Sequence, residues 1–220
     1  MQRLHAERKG SEPVPVELLF PLAVFSFVTS ITPGPNNMML LASGVNFGFR
    51  RTIPHMLGIG IGFALMVLLL GLGLGQVFVR FPVIYTVLKY VGAVYLIWLA
   101  WKIANSGPIE GEGESKARPM TFLEAAAFQW INPKAWTMAV SAIATYLQPE
   151  QPLLSALIIA GFFGLVNLPS VSVWALFGMG MRRFLNDPKH VRLFNCAMAL
   201  LLIASLWPVL AELIADFAIK

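Results

Sequence analysis

Two short polar stretches carry the groups in this sequence that could do chemistry, and each lies inside a long apolar run. The first reads Thr-Pro-Gly-Pro-Asn-Asn at residues 32–37, and the second reads Asn-Pro-Lys-Ala-Trp at residues 132–136. Pro33 and Pro133 stand one hundred residues apart. Amide side chains, a lysine and the peptide groups of an interrupted helix are together suited to hold a small molecule that carries both a carboxylate and an ammonium group.

The first stretch cannot continue a helix. Pro33 and Pro35 lack the backbone N–H that a helix needs, and Gly34 in a helix interior costs about 1 kcal/mol relative to alanine. Inside a bilayer, such a break is tolerated only where protein or a water-filled cavity satisfies the freed carbonyl groups. Two broken helices in corresponding halves of a membrane protein are the sequence feature that best indicates a transporter's substrate site.

The breaks also predict which groups would hold each end of a zwitterion. The half-helix that opens at Asn36 and Asn37 would offer free N–H groups to a carboxylate, with Lys134 as the second cationic group. Unwound carbonyls at residues 31, 32 and 34 would accept hydrogen bonds from the ammonium. The predicted substrate-binding residues are Thr32, Pro33, Gly34, Pro35, Asn36, Asn37, Gln129, Asn132, Pro133, Lys134 and Asn167.

Glu124 is the predicted candidate for proton coupling, because it is an acidic residue within a predicted membrane span that also carries polar side chains. Three of these residues also have a purely structural interpretation. Glu124 could lie in the first turn of a helix near the membrane interface, where a negative charge is favourable. Lys134 could serve only to satisfy the carbonyls of a broken helix, and Asn167 could join helices by a hydrogen bond.

Composition places these stretches in an integral membrane protein. Of the 220 residues, 57% are hydrophobic and only 12% are charged, with a mean hydropathy of +0.71. The 16 lysines and arginines occur in short clusters between apolar runs, which favours topology signals over nucleic-acid binding. Cys196 is the single cysteine, so no intramolecular disulfide forms. The histidines at positions 5, 55 and 190 predict no metal site, and we expect no cofactor and no enzymatic activity.

About six transmembrane helices must position the polar stretches, and the predicted fold is an all-α integral membrane fold. The helices are predicted to form two three-helix halves that are related as an inverted repeat. Helices 1 and 4 are predicted to break at the proline motifs. The first half covers residues 1–104, a hydrophilic linker covers 105–119, and the second half covers 120–220. The predicted spans are residues 16–45, 55–79, 82–101, 120–147, 153–180 and 191–210.

Loop charges predict the orientation. Alternating spans leave nine basic residues on one side, namely Arg50, Arg51, Lys102, Lys116, Arg118, Arg182, Arg183, Lys189 and Arg192. Five lie on the other side, namely Arg3, Arg8, Lys9, Arg80 and Lys220. The positive-inside rule puts the side with nine in the cytoplasm and both termini outside. If the first run enters without crossing, the N-terminus is reversed and five full spans remain.

The sequence resembles the lysine exporter (LysE/RhtB) family of amino-acid efflux proteins over nearly its whole length. The similar stretches are residues 32–36, the glycine-rich second span with its Gly-Phe-Arg lead-in at 48–50, and Gln-Trp-Ile-Asn-Pro-Lys-Ala-Trp at 129–136. Residues 91–104, together with 32–37, look most like the cysteine and O-acetylserine exporter branch. The sequence departs from the family's pattern at residues 137–147, which are small and hydroxylated here, and at Ala197, where a glycine is common.

The resemblance implies a multi-pass protein of the bacterial inner (plasma) membrane that exports small amino acids or their derivatives, driven by the proton motive force. It also implies a homodimer. A channel or lipid-handling protein of related architecture is the alternative, because broken helices also line pores and lipid paths. The partners expected from the sequence are therefore an amino-acid substrate, the lipid bilayer and a second copy of the chain, without nucleic acid.

Overall fold

All regular structure in the part of the chain that the computed structural model describes is helical. That part comprises residues 13–106, 118–185, 187–207 and 209–211. The predicted N-terminal tail, most of the 105–119 linker and Pro208 lie outside the described residues. The helices are α1 (Val16–Ile31), α2 (Pro35–Phe47), α3 (Phe49–Leu69), α4 (Gly75–Arg80), α5 (Pro82–Ala104), α6 (Phe122–Phe128), α7 (Pro133–Tyr146), α8 (Pro152–Arg182) and α9 (Pro188–Ala204).

Three helical stretches are long and apolar enough to cross a membrane, namely Phe49–Arg80, Pro82–Ala104 and Pro152–Arg182. The pair α1 and α2 makes a fourth if it is counted as one span bent by 55°. This pair follows α8 along most of its length. The Ser155 hydroxyl near the start of α8 donates to the carbonyl of Pro13, while Gly44 packs on Ala175 near the end of α8. These contacts fit a broken first helix that crosses the bilayer.

The predicted loop over residues 47–54 is wrong, because α3 begins at Phe49 and takes Arg50 and Arg51 into its first turn. Gly48 alone separates α2 from α3, with φ at 78°. Glycine adopts this left-handed conformation without the steric cost of a Cβ, so one residue is enough to reverse the chain. The second span is correspondingly longer than predicted and is kinked over Leu70–Leu74, where Gly73 has φ at 103°.

Asn167, Pro169, Ser170 and Ser172 predict an irregular polar patch in the middle of the fifth span, but this is also wrong, since α8 is continuous through Pro169. The hydroxyls of Ser170 and Ser172 donate back to the carbonyls of Val166 and Leu168, at 2.7 Å each. Such bonds satisfy a hydroxyl within its own helix and keep it from acting elsewhere. The last helix, α9, ends at Ala204, before the predicted limit near residue 210.

Glycines allow the helices to approach closely. A Cβ on Gly178 of α8 would collide with the carbonyl oxygen of Leu41 in α2, and one on Gly62 of α3 would lie 2.6 Å from the Cα of Ala126 in α6. In lipid, where no hydrophobic force brings helices together, such close backbone packing is a main source of association. The repeated glycines of the second span predict close helix packing, and this is seen at Gly62.

Two clusters of buried apolar side chains fill the interior at different levels of the bundle. One contains Ile59 of α3 and Val171 of α8, and the other contains Phe63 and Phe163 of the same two helices. Outward-facing side chains are strongly apolar, as at Phe20 and Leu165, which are 76% and 78% exposed. The pocket at the helix breaks is lined by members of both clusters, since Val171 belongs to the first and Phe63 to the second.

Candidate functional site

The first break is formed by residues 32–34, between the last residue of α1 and the first of α2. Thr32 has extended backbone angles and its N–H still donates to the carbonyl of Val28, which closes the last turn of α1. Pro35 opens α2, and its fixed φ suits the first position of a helix. The first backbone hydrogen bond of α2 runs from Met38 N to Gly34 O at 3.0 Å, so the N–H groups of Asn36 and Asn37 precede the helical ladder.

The second break has the same design. After α6, a short 3₁₀ turn over Gln129–Ile131 leads to Asn132, whose side chain caps α7 by accepting from Lys134 N at 3.1 Å. Pro133 is the first residue of α7. The proline that corresponds to Pro133 is therefore Pro35, not Pro33, because both open the half-helix that follows a break.

Lys134 joins the two breaks. Its ammonium donates to the carbonyl of Thr32 at 2.6 Å, to the hydroxyl of Thr32 at 3.0 Å and to the carbonyl of Pro33 at 3.2 Å. An ammonium has three N–H donors, so these contacts use all of them. The side chain also lies over Gly34, where a Cβ would come within 2.5 Å of Lys134 Cδ. The charge thus compensates carbonyl groups that the end of α1 leaves without helical partners.

A reciprocal amide pair adds a second link between the breaks. Asn36 Nδ2 donates to Gln129 Oε1 at 2.8 Å, and Gln129 Nε2 donates to Asn36 Oδ1 at 3.3 Å. Gln129 also donates to the carbonyl of Ala125 at 2.8 Å, and its side chain is fully buried. A buried network in which both amides are paired fixes the relative position of its two helices.

We expect this amide pair to be energetically coupled. Asn36→Ala and Gln129→Ala should each lower the free energy of unfolding in detergent micelles, and the double mutant should lose about 1 kcal/mol less than the sum of the two. The control is Asn36→Ala combined with Asn195→Ala, since Asn195 pairs with Asn46 at the far end of α2. Additive losses in the first pair would contradict the link.

The freed carbonyls that the sequence assigned to a substrate's ammonium already accept hydrogen bonds within the protein. The carbonyl of Thr32 accepts from Asn37 Nδ2 at 2.7 Å as well as from Lys134. The carbonyl of Ile31 accepts from the indole N–H of Trp174 at 3.0 Å, and that of Gly34 accepts from α2 itself. Burial in a bilayer makes an unsatisfied carbonyl costly, which explains why each of the three has a donor.

A pocket of about 320 Å³ lies where the two breaks meet. Seven of the predicted binding residues line it: Gly34, Asn36, Asn37, Gln129, Asn132, Lys134 and Asn167. The other four, Thr32, Pro33, Pro35 and Pro133, shape the breaks without lining the pocket.

Asn167 supplies an unused acceptor to this pocket. Its Nδ2 donates to the hydroxyl of Ser30 at 3.1 Å, while its Oδ1 is buried and has no hydrogen-bond partner among the described residues. An unpaired buried acceptor costs free energy that a suitable donor would recover. Asn167 therefore joins helices, as its structural interpretation held, and also keeps one oxygen available.

Glu124 lies outside this pocket, in the first turn of α6. It forms a capping box with Thr121 and accepts from the guanidinium of Arg118 through both carboxylate oxygens, at 2.6 and 2.7 Å. This bidentate pair is part-exposed, with 36% of the Glu124 side chain accessible. The contacts match the structural interpretation of a favourable charge near a helix N-terminus.

Sequence reasoning missed Trp174 and six residues of the pocket lining, namely Thr29, Ser30, Phe63, Ala135, Met138 and Val171. Trp174, which caps the carbonyl of Ile31, comes seven residues after Asn167 and so lies on the same face of α8. That spacing could have identified it. Phe63, Met138 and Val171 line the apolar wall of the pocket, and nothing in their sequence context distinguishes them from other core residues.

The family profile of the LysE type translocators matches residues 27–205, which include both breaks and every residue that lines the pocket. The chain belongs to the LysE type translocator family. A cysteine/O-acetylserine efflux protein from Escherichia coli O139:H28 is 34% identical over 187 residues, which cover 84% of this translocator and 94% of the relative. Proteins of the same name from Escherichia coli strain K12 and Shigella sonnei are each 33% identical over equal shares. No solved structure matches the chain.

Family membership confirms the resemblance derived from the two proline motifs. This translocator is a multi-pass inner-membrane protein and a transporter, not an enzyme.

Proposed function

We propose that this translocator exports small amino acids or their derivatives, with cysteine and O-acetylserine as the first candidates. The single observation that carries the proposal is the pocket between the two helix breaks, which combines a lysine, two helix N-termini and an unused amide oxygen. The names of the relatives, which are efflux proteins for cysteine and O-acetylserine, support the same class of substrate.

The substrate's carboxylate would bind at the start of α2. The N–H groups of Asn36 and Asn37 precede the helical ladder, and the helix dipole favours an anion there. Lys134 would exchange one of its three carbonyl or hydroxyl contacts for the carboxylate. Because the same contacts hold the end of α1, binding would loosen the link between the breaks, and this offers a route from occupancy to conformational change.

The substrate's ammonium would bind at Asn167. Its free Oδ1 and the hydroxyls of Thr29 and Ser30 line the wall that α1 and α8 share. These groups are neutral hydrogen-bonding groups. They suit an ammonium that belongs to a zwitterion of zero net charge and that moves from water into a low-dielectric site. The Asn167 oxygen replaces the carbonyls of the break in this role.

We propose that the helices form six spans in two inverted three-helix halves. The pair α1 and α2 would correspond to α6 and α7, α3 to α8, and α5 to α9. Packing supports this scheme, since α8 contacts α1 as α3 contacts α6, and α3 and α8 contact each other. The two halves would keep the predicted limits of residues 1–104 and 120–220. Proton-motive-force driving and a homodimer stay predictions.

The test of the function is an efflux panel with purified translocator in proteoliposomes. Radiolabelled cysteine, O-acetylserine, threonine, homoserine and lysine would be compared with and without an imposed proton gradient. We expect saturable flux of cysteine or O-acetylserine that the gradient accelerates. Linear flux that does not saturate would instead favour the channel alternative.

Glu124 has a separate test as the proton-coupling group. Because its carboxylate is held by Arg118 and by the capping box, we expect Glu124→Gln to keep the dependence of efflux on the pH gradient. Stability should fall by about 0.5 to 1 kcal/mol, the usual value of a part-exposed pair. Initial rates at several imposed gradients would check this, and loss of the dependence would assign coupling to Glu124.

A further inference from the structure

A second pocket lies at the opposite end of α2 and shares no lining residue with the first. It has about 430 Å³ of empty space, part of it open to solvent, between the second half of α2, the start of α3, the end of α5 and the segment before α6. Its polar lining includes Ser43, Asn46, His55, Lys102, Ser106 and Arg118. None of these six side chains is among the predicted binding residues.

His55 is the buried group of this pocket that lacks a partner. Only 1% of the residue is exposed, and neither ring nitrogen has a hydrogen-bond partner among the described residues. A neutral imidazole carries one donor and one acceptor, so both are left unsatisfied. Native proteins pair nearly all their buried polar atoms, and an exception calls for a functional or a ligand-based explanation.

Two cations lie beside His55 in the lining. The Lys102 ammonium lies 5.2 Å from the centroid of the Trp98 ring, and no carboxylate of the described residues is paired with it. Arg118 is held by Glu124 and has N–H groups left over from that pair. The pocket therefore combines a net positive charge with an unpaired neutral donor, which is the chemistry of a carboxylate site.

The neighbouring polar groups, by contrast, are already paired with one another. Asn46 and Asn195 form a reciprocal amide pair at 2.9 and 3.1 Å, and the hydroxyls of Ser43 and Thr52 lie 2.8 Å apart. Their bonds hold α2, α3 and α9 in place around the pocket. Binding capacity is thus concentrated in His55, Lys102 and Arg118.

The location of the pocket indicates which side of the membrane it faces. Its charged residues belong to the set of nine basic residues that the positive-inside rule places in the cytoplasm. The first pocket lies at the start of α2 and the second at its end, which for a helix of 13 residues are about 18 Å apart. An exporter must collect its substrate from the cytoplasm, so a site on this side would be met first.

We propose that this second pocket is a cytoplasmic vestibule that binds the carboxylate of the amino-acid substrate before the substrate reaches the first pocket. Lys102 and Arg118 provide the charge, and His55 donates a hydrogen bond from its ring N–H. The inference rests on the proposed export function and adds a second binding step to it.

The test measures KM separately at each face of the membrane, in inside-out and right-side-out proteoliposomes with radiolabelled O-acetylserine. His55→Leu and Lys102→Met should each raise KM about tenfold for substrate offered at the cytoplasmic face, since each removes a hydrogen bond to a charged group. KM at the opposite face should change less than about twofold. Arg50→Met, an exposed cation on the same side but outside the pocket, is the matched control and should leave both values unchanged.

Thermal unfolding of His55→Leu distinguishes a binding role from a structural role, because the two roles change the melting temperature in opposite directions. Removing two unsatisfied polar atoms should raise the melting temperature while KM worsens. A lower melting temperature with unchanged KM would overturn the vestibule, because His55 would then be a paired structural group. If His55→Leu does not fold, the KM of Lys102→Met decides alone, and an unchanged value overturns the proposal. Wild-type protein without saturable flux from either face would overturn the export function and the vestibule together.

Discussion

Lys134→Met is expected to reduce efflux about 100-fold, which corresponds to about 2.7 kcal/mol and lies within the usual range for hydrogen bonds to a charged group. The substitution keeps the apolar stem over Gly34 but removes the ammonium that contacts Thr32 and Pro33. Two carbonyls of the first break then lose a donor, and the substrate's carboxylate loses its cation. Initial rates of efflux from proteoliposomes, normalised to the amount of folded protein, would measure the loss.

Two variants serve as controls for this result. Lys189→Met removes an exposed cation near the start of α9 and should transport normally. Lys134→Arg keeps the charge but presents a planar fork in place of a compact ammonium, so we expect it to recover only part of the rate. Normal efflux by Lys134→Met would show that the lysine has no role in transport.

Gly178→Leu is expected to cost about 3 kcal/mol, the upper end of the usual range for overpacking, and to abolish most of the folded protein. A Cβ at this position collides with the carbonyl oxygen of Leu41, and backbone atoms cannot rotate away as a side-chain tip can. Helices α2 and α8 would have to separate, which would move the start of α2 away from Asn167. Fluorescence-detected size-exclusion and thermal unfolding in detergent would report the loss.

Gly161→Leu is the matched control on the same helix. Nothing lies within 4 Å of a Cβ built at Gly161, and the position faces outward. Leucine is a better helix former than glycine, so this variant should fold at least as well as the wild type. Equal behaviour of Gly178→Leu and Gly161→Leu would contradict the close packing of α2 on α8.

The sequence was most informative where a residue type restricts its own backbone. Pro33 and Pro35 flank Gly34, and Pro133 follows Asn132, so each break is predicted by a combination of residues; a single proline does not suffice, because α8 continues through Pro169. The apolar runs likewise predict membrane helices with no knowledge of their partners. Seven of the predicted binding residues line the pocket at the breaks for the same reason, because they belong to the interrupted stretches or to the face beside them.

The remaining features depend on contacts between distant parts of the chain. That Lys134 would reach the carbonyl of Thr32, 102 residues away, cannot be derived from either stretch alone. The occupied carbonyl of Ile31 depends on Trp174, and the one-residue turn at Gly48 depends on how α2 and α3 pack. From its position at the start of the second apolar run, the sequence predicts His55 to lie at the membrane interface, whereas packing buries it beside a pocket.

The central claim is that a small amino acid binds between the two helix breaks, and substrate protection of a pocket thiol tests it most directly. In a Cys196→Ser background, Thr29→Cys places a single thiol in the pocket lining, and Glu150→Cys places one in an exposed loop as control. O-acetylserine, or another thiol-free substrate identified by the efflux panel, would be titrated during maleimide labelling. We predict that it slows labelling at position 29 with a half-maximal concentration near KM and leaves position 150 unaffected. Equal labelling of position 29 with and without a transported substrate would contradict binding at the breaks.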